Sequence, residues 1–240
     1  MHLAEQEGTR VREYTEPWWV KLPEGFSTPN FDTTIWSPRK PLVIVQSRLI
    51  DASAPVYGYG TPEPGDNDLT AQHAGVPLGE HITVHGRVTD SWGRPARDML
   101  VEIWQANAAG KYVHDHDPTP KPHDPNFTGA GRTLTDADGW YTFRTIKPGS
   151  YPWWKDREAW RAQHIHFGLT GRGLTERYVT QMQFPGDPLI ERDPVVSTIP
   201  DAKARERLIC QLDWEAAIPG ITIGYRFDIV LGGMNATPEH

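Results

Sequence analysis

In Gln163-His164-Ile165-His166-Phe167-Gly168-Leu169-Thr170, polar and apolar side chains take turns through His164, Ile165, His166 and Phe167. Residues two apart on a β-strand share a face, roughly 6.5–7 Å apart along the backbone. A strand over 164–170 therefore sends Ile165 into one layer and sets His164 and His166 side by side on the other. Two imidazoles so placed can converge on one metal ion, since neutral histidine is a common metal ligand. The same pair also suits an ordinary polar strand face, so a metal site needs further ligands.

Outward from this stretch the chain repeats one rhythm. Leu42–Arg48, Ile82–Thr89, Met99–Gln105, Trp140–Ile146, Val179–Phe184 and Ile223–Leu231 are rich in β-branched and aromatic residues and end at Gly, Pro, Asp or Asn. Asp138-Gly139 marks a turn before Trp140, and Thr142, Arg144 and Thr145 interrupt the next run as a strand with one buried face requires. Asp201–Leu212 holds no Pro or Gly and gathers Leu208, Ile209 and Leu212 on one side, which predicts the one helix. The expected fold is all-β: a β-sandwich of mixed short strands with long loops, an extended N-terminal arm and one short C-terminal helix. The arm is read as residues 1–41, where Pro17, Pro23, Pro29, Pro38 and Pro41 alternate with aromatics and forbid long helices. Residues 42–240 form the β-sandwich domain.

Composition narrows the function classes. The 240 residues include 22 Gly and 22 Pro, and 10 Trp, 8 Tyr and 7 Phe, so the chain is turn-rich yet carries the large apolar groups that disordered chains lack. A net charge of −7 argues against a phosphate-tracking surface, so no nucleic-acid partner is expected. No apolar run reaches the roughly 18 residues of a spanning helix, so no membrane partner is expected either. A single cysteine, Cys210, and an acidic N-terminus without an apolar stretch fit a cytoplasmic protein.

Two sets of further ligands are on offer. Val113-His114-Asp115-His116-Asp117 has metal-binding composition, but it lies among Pro118, Pro120, Pro122 and Pro125, and a solvated polar loop explains it as well. The other set is tyrosine. Tyr112 follows Gly110-Lys111, and Tyr151 stands between Pro148-Gly149-Ser150 and Pro152. Both are at rigid, turn-like positions beside predicted strands, where an interior aromatic is the ordinary occupant.

Several blocks in order carry a family likeness: Val101-Glu102-Ile103-Trp104-Gln105-Ala106-Asn107 with Gly110-Lys111-Tyr112, then Asp124-Pro125-Asn126-Phe127 with Gly131-Arg132. Thr135-Asp136-Ala137-Asp138-Gly139, Ile146-Lys147-Pro148-Gly149-Ser150-Tyr151-Pro152 and Arg161-Ala162-Gln163-His164-Ile165-His166-Phe167 follow. Together they resemble the intradiol ring-cleaving dioxygenases, over about Pro77 to Leu231. Within that family the short proline-rich arm, Gly186–Ile190 and Tyr225–Leu231 look like the β chains of enzymes that act on 3,4-dihydroxybenzoate (protocatechuate). Their α chains share the fold but lack the iron ligands.

The resemblance implies one non-haem Fe(III) per chain, held by Tyr112, Tyr151, His164 and His166, with hydroxide in the fifth position. Hard anionic oxygen donors suit a ferric ion. Tyr151 would be the axial ligand that a catecholic substrate displaces, and it takes up a phenolic proton. Arg161 and Gln181 would stabilise charge developing near the ring, Arg161 otherwise reading as a salt-bridge partner of Asp156 or Glu158. Trp104, Trp153 and Val195 match substrate-pocket positions. Phe31 stands where the family carries a tyrosine that recognises the polar end of the substrate. The implied partners are O2, a small aromatic diol and a homologous alpha chain in a hetero-oligomer. The implied reaction yields 3-carboxy-cis,cis-muconate in the β-ketoadipate route of aromatic catabolism. Catechol or hydroxyquinol as substrate, a non-catalytic β-sandwich binding subunit, and a zinc hydrolase built on His164 and His166 are the competing readings.

Overall fold

The computed structural model describes residues 61–113, 117, 119–153, 159–172, 174 and 177–239. The expected strand Leu42–Arg48, the arm and the boundary between 41 and 42 lie outside them. Eleven strands follow in order among the described residues: β1 His81–Asp90, β2 Leu100–Trp104, β3 Ala130–Leu134, β4 Trp140–Ile146, β5 Tyr151–Pro152, β6 Trp160–Arg161, β7 His164–Thr170, β8 Tyr178–Gln183, β9 Gln211–Leu212, β10 Ile223–Arg226 and β11 Ile229–Leu231. β1 is the spine of the first sheet, antiparallel to β4 on one side and parallel to β10 and then β11 on the other, with β9 beyond β10. The second sheet, β3-β2-β7-β8, is antiparallel throughout. A small ribbon pairs β5 with β6.

The core lies where the inward faces of the two sheets meet. Ile82, Val84 and Val88 of β1 and Tyr141 and Phe143 of β4 join Val101, Ile103, Ile165, Phe167 and Leu169 of the second sheet in one buried cluster. Phe167 ties the layers together. Its ring lies 5.6 Å from that of Tyr141, 6.4 Å from Phe143 and 5.2 Å from Phe227. Along β4, Tyr141 and Phe143 are buried and Thr142 and Arg144 exposed as expected, whereas Thr145, the third polar break, is buried and donates to Gln105 Oε1 at 2.8 Å.

Three sequence expectations need correcting. The helix, here α1, spans only Ala202–Glu206 behind an Asp201 cap that accepts from the Lys203 N–H. Ile209 instead bridges to Gln183, and Leu212 joins β9, because pairing with the sheet edge captures the backbone that a longer helix would use. The run Ile223–Leu231 divides in two at Phe227 and Asp228. The register against β1 is the same on both sides, and in the gap the Asp228 carboxylate accepts the Arg87 N–H at 2.9 Å in place of a backbone carbonyl. β3 was not expected, since an edge strand of half-buried residues has no apolar period to betray it.

Candidate metal centre

The outer face of β7 faces away from the core. Register sets Trp104 of β2, His166 of β7 and Gln181 of β8 in one row across the sheet, and His164 opposite Gln183 in the next. The Trp104 indole and the His166 imidazole stack at 4.8 Å with only 5° between their planes, which fixes the ring in two dimensions. On the other side of His166, the Gln181 amide nitrogen is 3.3 Å from Nδ1.

Two loops bring tyrosines over this row. Asn107, after β2, accepts from the Ala109 and Lys111 N–H groups through its side-chain oxygen and donates to the Pro122 carbonyl, so the loop carrying Tyr112 is stapled from within. Asp117 adds a second staple, accepting the Tyr112 N–H at 2.9 Å and facing the buried Lys111 ammonium at 3.4 Å. Gly110 has φ +78°, and a Cβ there would stand 2.4 Å from the Ser150 carbonyl oxygen; one on Gly149 would stand 2.3 Å from that of Ala108. Only glycine lets the two tyrosine loops approach so closely. Tyr151 itself opens β5, directly opposite Arg161 in the ribbon.

The result is convergence on one atom. His164 Nε2 is 3.5 Å from the Tyr112 hydroxyl, 3.4 Å from the Tyr151 hydroxyl and 3.3 Å from His166 Nε2. His164 Nδ1 is 2.6 Å from the Ala162 carbonyl, which can only accept. The proton of neutral His164 therefore sits on Nδ1, and the Nε2 lone pair points into the cluster, the orientation a metal-binding imidazole needs. Burial pushes the Tyr112 phenol well above its ordinary range, and the neighbouring Tyr151 pushes the same way. Burial raises Tyr151 too, against the pull of the Arg161 cation. His164 Nε2 with the two phenol oxygens and the second imidazole nitrogen, all within 3.5 Å of it, makes a four-donor set that fits a hard trivalent cation, whose charge would ionise the phenols.

Arg161 and Gln181 belong to the same assembly. Arg161 sends one NH2 nitrogen to Gln181 Oε1 at 2.6 Å and the other to the Tyr151 hydroxyl at 3.5 Å, and its guanidinium lies over the Trp153 ring at 5.2 Å. Asp156 and Glu158, its expected ion-pair partners, lie outside the described residues; the partner seen is Asp193, at 3.0 Å. Trp104 and Trp153 thus flank the centre, and Val195 stands on the turn that follows Asp193. Phe31 and His114-Asp115-His116 lie outside the described residues. No group of three or more His, Cys, Asp and Glu suited to a metal occurs among the described residues, so nothing there completes a zinc site on His164 and His166. Sequence reasoning gave no role to Asn107 or Asp193. Asn107 closes the family-like stretch Val101–Asn107, whereas the contact of Asp193 with Arg161 spans 32 positions and leaves no local signal.

Comparison with known proteins bears on this arrangement. Residues 52–233 match the family model described as Dioxygenase. The chain is 53% identical over 203 residues, 84% of its length and 86% of the other's, to the protocatechuate 3,4-dioxygenase beta chain of Burkholderia cepacia. It is 31% identical over 184 residues to the alpha chain from the same organism, covering 75% of this chain and 85% of the other. Among solved structures, catechol 1,2-dioxygenase from Acinetobacter sp. ADP1, inhibited by bound mercury, aligns with a TM-score of 0.52 at 26% identity over 68% of this chain and 55% of that one.

Proposed function

The chain belongs to the intradiol ring-cleaving dioxygenase family of oxidoreductases, and on that premise we propose that it is the iron-bearing β-type chain of an enzyme acting on 3,4-dihydroxybenzoate. The carrying observation is the convergence of Tyr112, Tyr151 and His166 within 3.5 Å of His164 Nε2. The substrate reading rests on the 53% identity to a protocatechuate 3,4-dioxygenase beta chain, and the β-type reading on its contrast with 31% to an alpha chain. The same pair of similarities supports a homologous α chain as partner. No helix among the described residues is long and apolar enough to cross a membrane.

Tyr112, Tyr151, His164 and His166 would hold one ferric ion. When bound, it would supply a Lewis acid that draws charge from a catechol and makes its ring reactive toward O2. The carbon–carbon bond between the two hydroxyl-bearing carbons breaks, and both atoms of O2 end in the product's new carboxyl groups, which balances as 3-carboxy-cis,cis-muconate.

The protein's own groups set the proton and charge traffic. The Tyr151 hydroxyl lies 3.4 Å from His164 Nε2 and 3.5 Å from Arg161, where as a phenolate it would take the proton of a substrate hydroxyl. Arg161 stands beside that oxygen with its planar donor fork and stabilises anionic charge growing on the ring oxygens. Gln181 accepts from Arg161 and spaces it from His166. Trp104 stacks on His166 and Trp153 lies against the Arg161 guanidinium.

Purified protein supplied with iron should be red-brown from phenolate-to-ferric charge transfer and consume one O2 per 3,4-dihydroxybenzoate. Colourless protein that retains no iron defeats the ferric reading. Faster oxygen uptake with catechol or hydroxyquinol than with 3,4-dihydroxybenzoate overturns the substrate while leaving the chemistry intact.

A further inference from the structure

The Asp193 carboxylate accepts hydrogen bonds from four donor groups beside the centre. It is 0% exposed. Oδ1 and Oδ2 accept the Arg161 Nε–H at 3.2 and 3.0 Å. Oδ2 also takes the Ala162 N–H at 2.8 Å, and Oδ1 takes the Val195 and Val196 N–H groups at 2.8 and 3.1 Å. One carboxylate thus joins the strand end that leads into His164 to the turn that carries Val195.

The consequence for Arg161 is geometric. A guanidinium is planar, and its donors point in fixed directions. With Nε committed to Asp193 and one NH2 nitrogen committed to Gln181 at 2.6 Å, the rotation of the plane has no freedom left. The remaining nitrogen then faces the Tyr151 hydroxyl at 3.5 Å. Arg161 is itself 3% exposed, so its charge is out of water, and a buried charge without a counter-ion would distort or escape its site. Asp193 supplies that counter-charge on the edge of the fork that points away from Tyr151, leaving the other edge for the reaction.

We propose that Asp193 is a positioning residue for Arg161: it holds the guanidinium in the single orientation that presents a cation to the Tyr151 oxygen and to charge developing on the substrate. The inference rests on the ferric dioxygenase reading for its catalytic consequence, but the orientation itself is a property of the protein alone. A carboxylate that served only the turn at Val195 would be content with the N–H groups of Val195 and Val196. The Arg161 Nε–H shared between both carboxylate oxygens is what that simpler role leaves unexplained.

The test is a double-mutant comparison in the intact, iron-loaded protein: Asp193→Asn, Arg161→Ala and both together. Iron content, the maximum of the visible phenolate band and steady-state kinetics are measured for each. Asparagine keeps the shape and one acceptor but removes the charge and one of the two oxygens that share the Arg161 Nε–H. The expected result is iron close to the wild-type level, a shifted band and a kcat reduced roughly 10-fold or more, in the range of lost electrostatic stabilisation. The double variant should match Arg161→Ala alone. Wild-type kcat and band in Asp193→Asn, or effects that multiply fully in the double variant, overturn the proposal. Should Asp193→Asn fail to fold, Arg161→Lys replaces it: lysine keeps the charge but cannot bond Asp193, Gln181 and Tyr151 together, so wild-type kcat in that variant also overturns the proposal. If the wild-type protein itself holds no iron, the ferric reading has failed. The crystal structure of Asp193→Asn then decides the orientation alone, a rotated guanidinium supporting the inference and an unmoved one refuting it.

Discussion

The two faces of the β3-β2-β7-β8 sheet are drawn from alternate residues of the same strands, yet they are built on different terms. Inward, Val101, Ile103, Ile165, Phe167, Leu169 and Met182 are sealed among apolar neighbours. Outward, His164 and Gln181 are each 2% exposed, and so are nearly as dry. Burying apolar surface is favourable in itself, whereas burying a polar group is unfavourable unless each donor and acceptor finds a partner. The inward face therefore supplies stability and tolerates exchange of one apolar side chain for another of similar volume. The outward face supplies arrangement: its contacts link named atoms, and most of them lead to His164 Nε2 or to Arg161.

The largest expected effects come from damaging each face in turn. His164→Ala removes the atom on which the centre converges, so iron and activity should fall to background while the thermal midpoint moves by only a few degrees. Phe167→Ala, one residue inward from the outer row, removes the ring that ties the two sheets. It should cost about 3–5 kcal/mol, or on the order of 10 °C in thermal midpoint, while protein that remains folded keeps its iron. Iron analysis and calorimetry on the two variants check this. Interchanged phenotypes, with His164→Ala unfolding and Phe167→Ala merely inactive, would break the contrast between the faces.

Tyr151→Phe sharpens the contrast within the outward face. Three donors remain, so iron should be retained, but the proposed proton acceptor beside Arg161 is gone. Stopped-flow mixing with 3,4-dihydroxybenzoate should show substrate binding slowed on the order of 10²-fold or more, the usual scale of a lost proton acceptor. Unchanged binding kinetics would mean that Tyr151 is a fixed ligand and the substrate proton goes elsewhere.

The inward face was the more legible in sequence. Strands β4 and β7 could be bounded to the residue, because Tyr141, Phe143, Ile165 and Phe167 advertise their burial by period. His164 and His166 were visible as a pair for the same reason. Their tyrosine partners were not: a phenol beside a turn has no pattern of its own, and Tyr112 and Tyr151 were chosen over His114–Asp117 only through the family likeness. The close approach of Gly110 to Ser150, and of Asp193 to Arg161, joins segments remote in the chain and leaves no trace in either segment alone. The overlong helix has a similar cause. Leu208, Ile209 and Leu212 do share an apolar character, but pairing with Gln183 and with β10 claimed the backbone first.

The smallest expected effect tests whether arrangement, and not stability, is the general currency of outward polar pairs. Asp66 meets Arg132 of the edge strand β3 at 2.9 Å, but both side chains are about a third exposed. The Glu63 N–H, and then the Arg132 guanidinium, hold the Asp66 carboxyl below its usual range. A carboxyl whose folded pKa is lowered stabilises the fold above its unfolded value of about 3.9, and that contribution vanishes as pH falls through the folded value. Asp66→Asn should therefore cost under about 1 kcal/mol near neutrality, since solvent screens exposed pairs, and the gap from wild type in thermal midpoint should close below roughly pH 4. Melting curves across pH 3–8 read both features. A loss of several kcal/mol would mean that even a wet pair on this face is a structural strut. The buried Arg161–Asp193 pair would then need no catalytic reason, and the separation of stability inward from arrangement outward would fail at its weakest point.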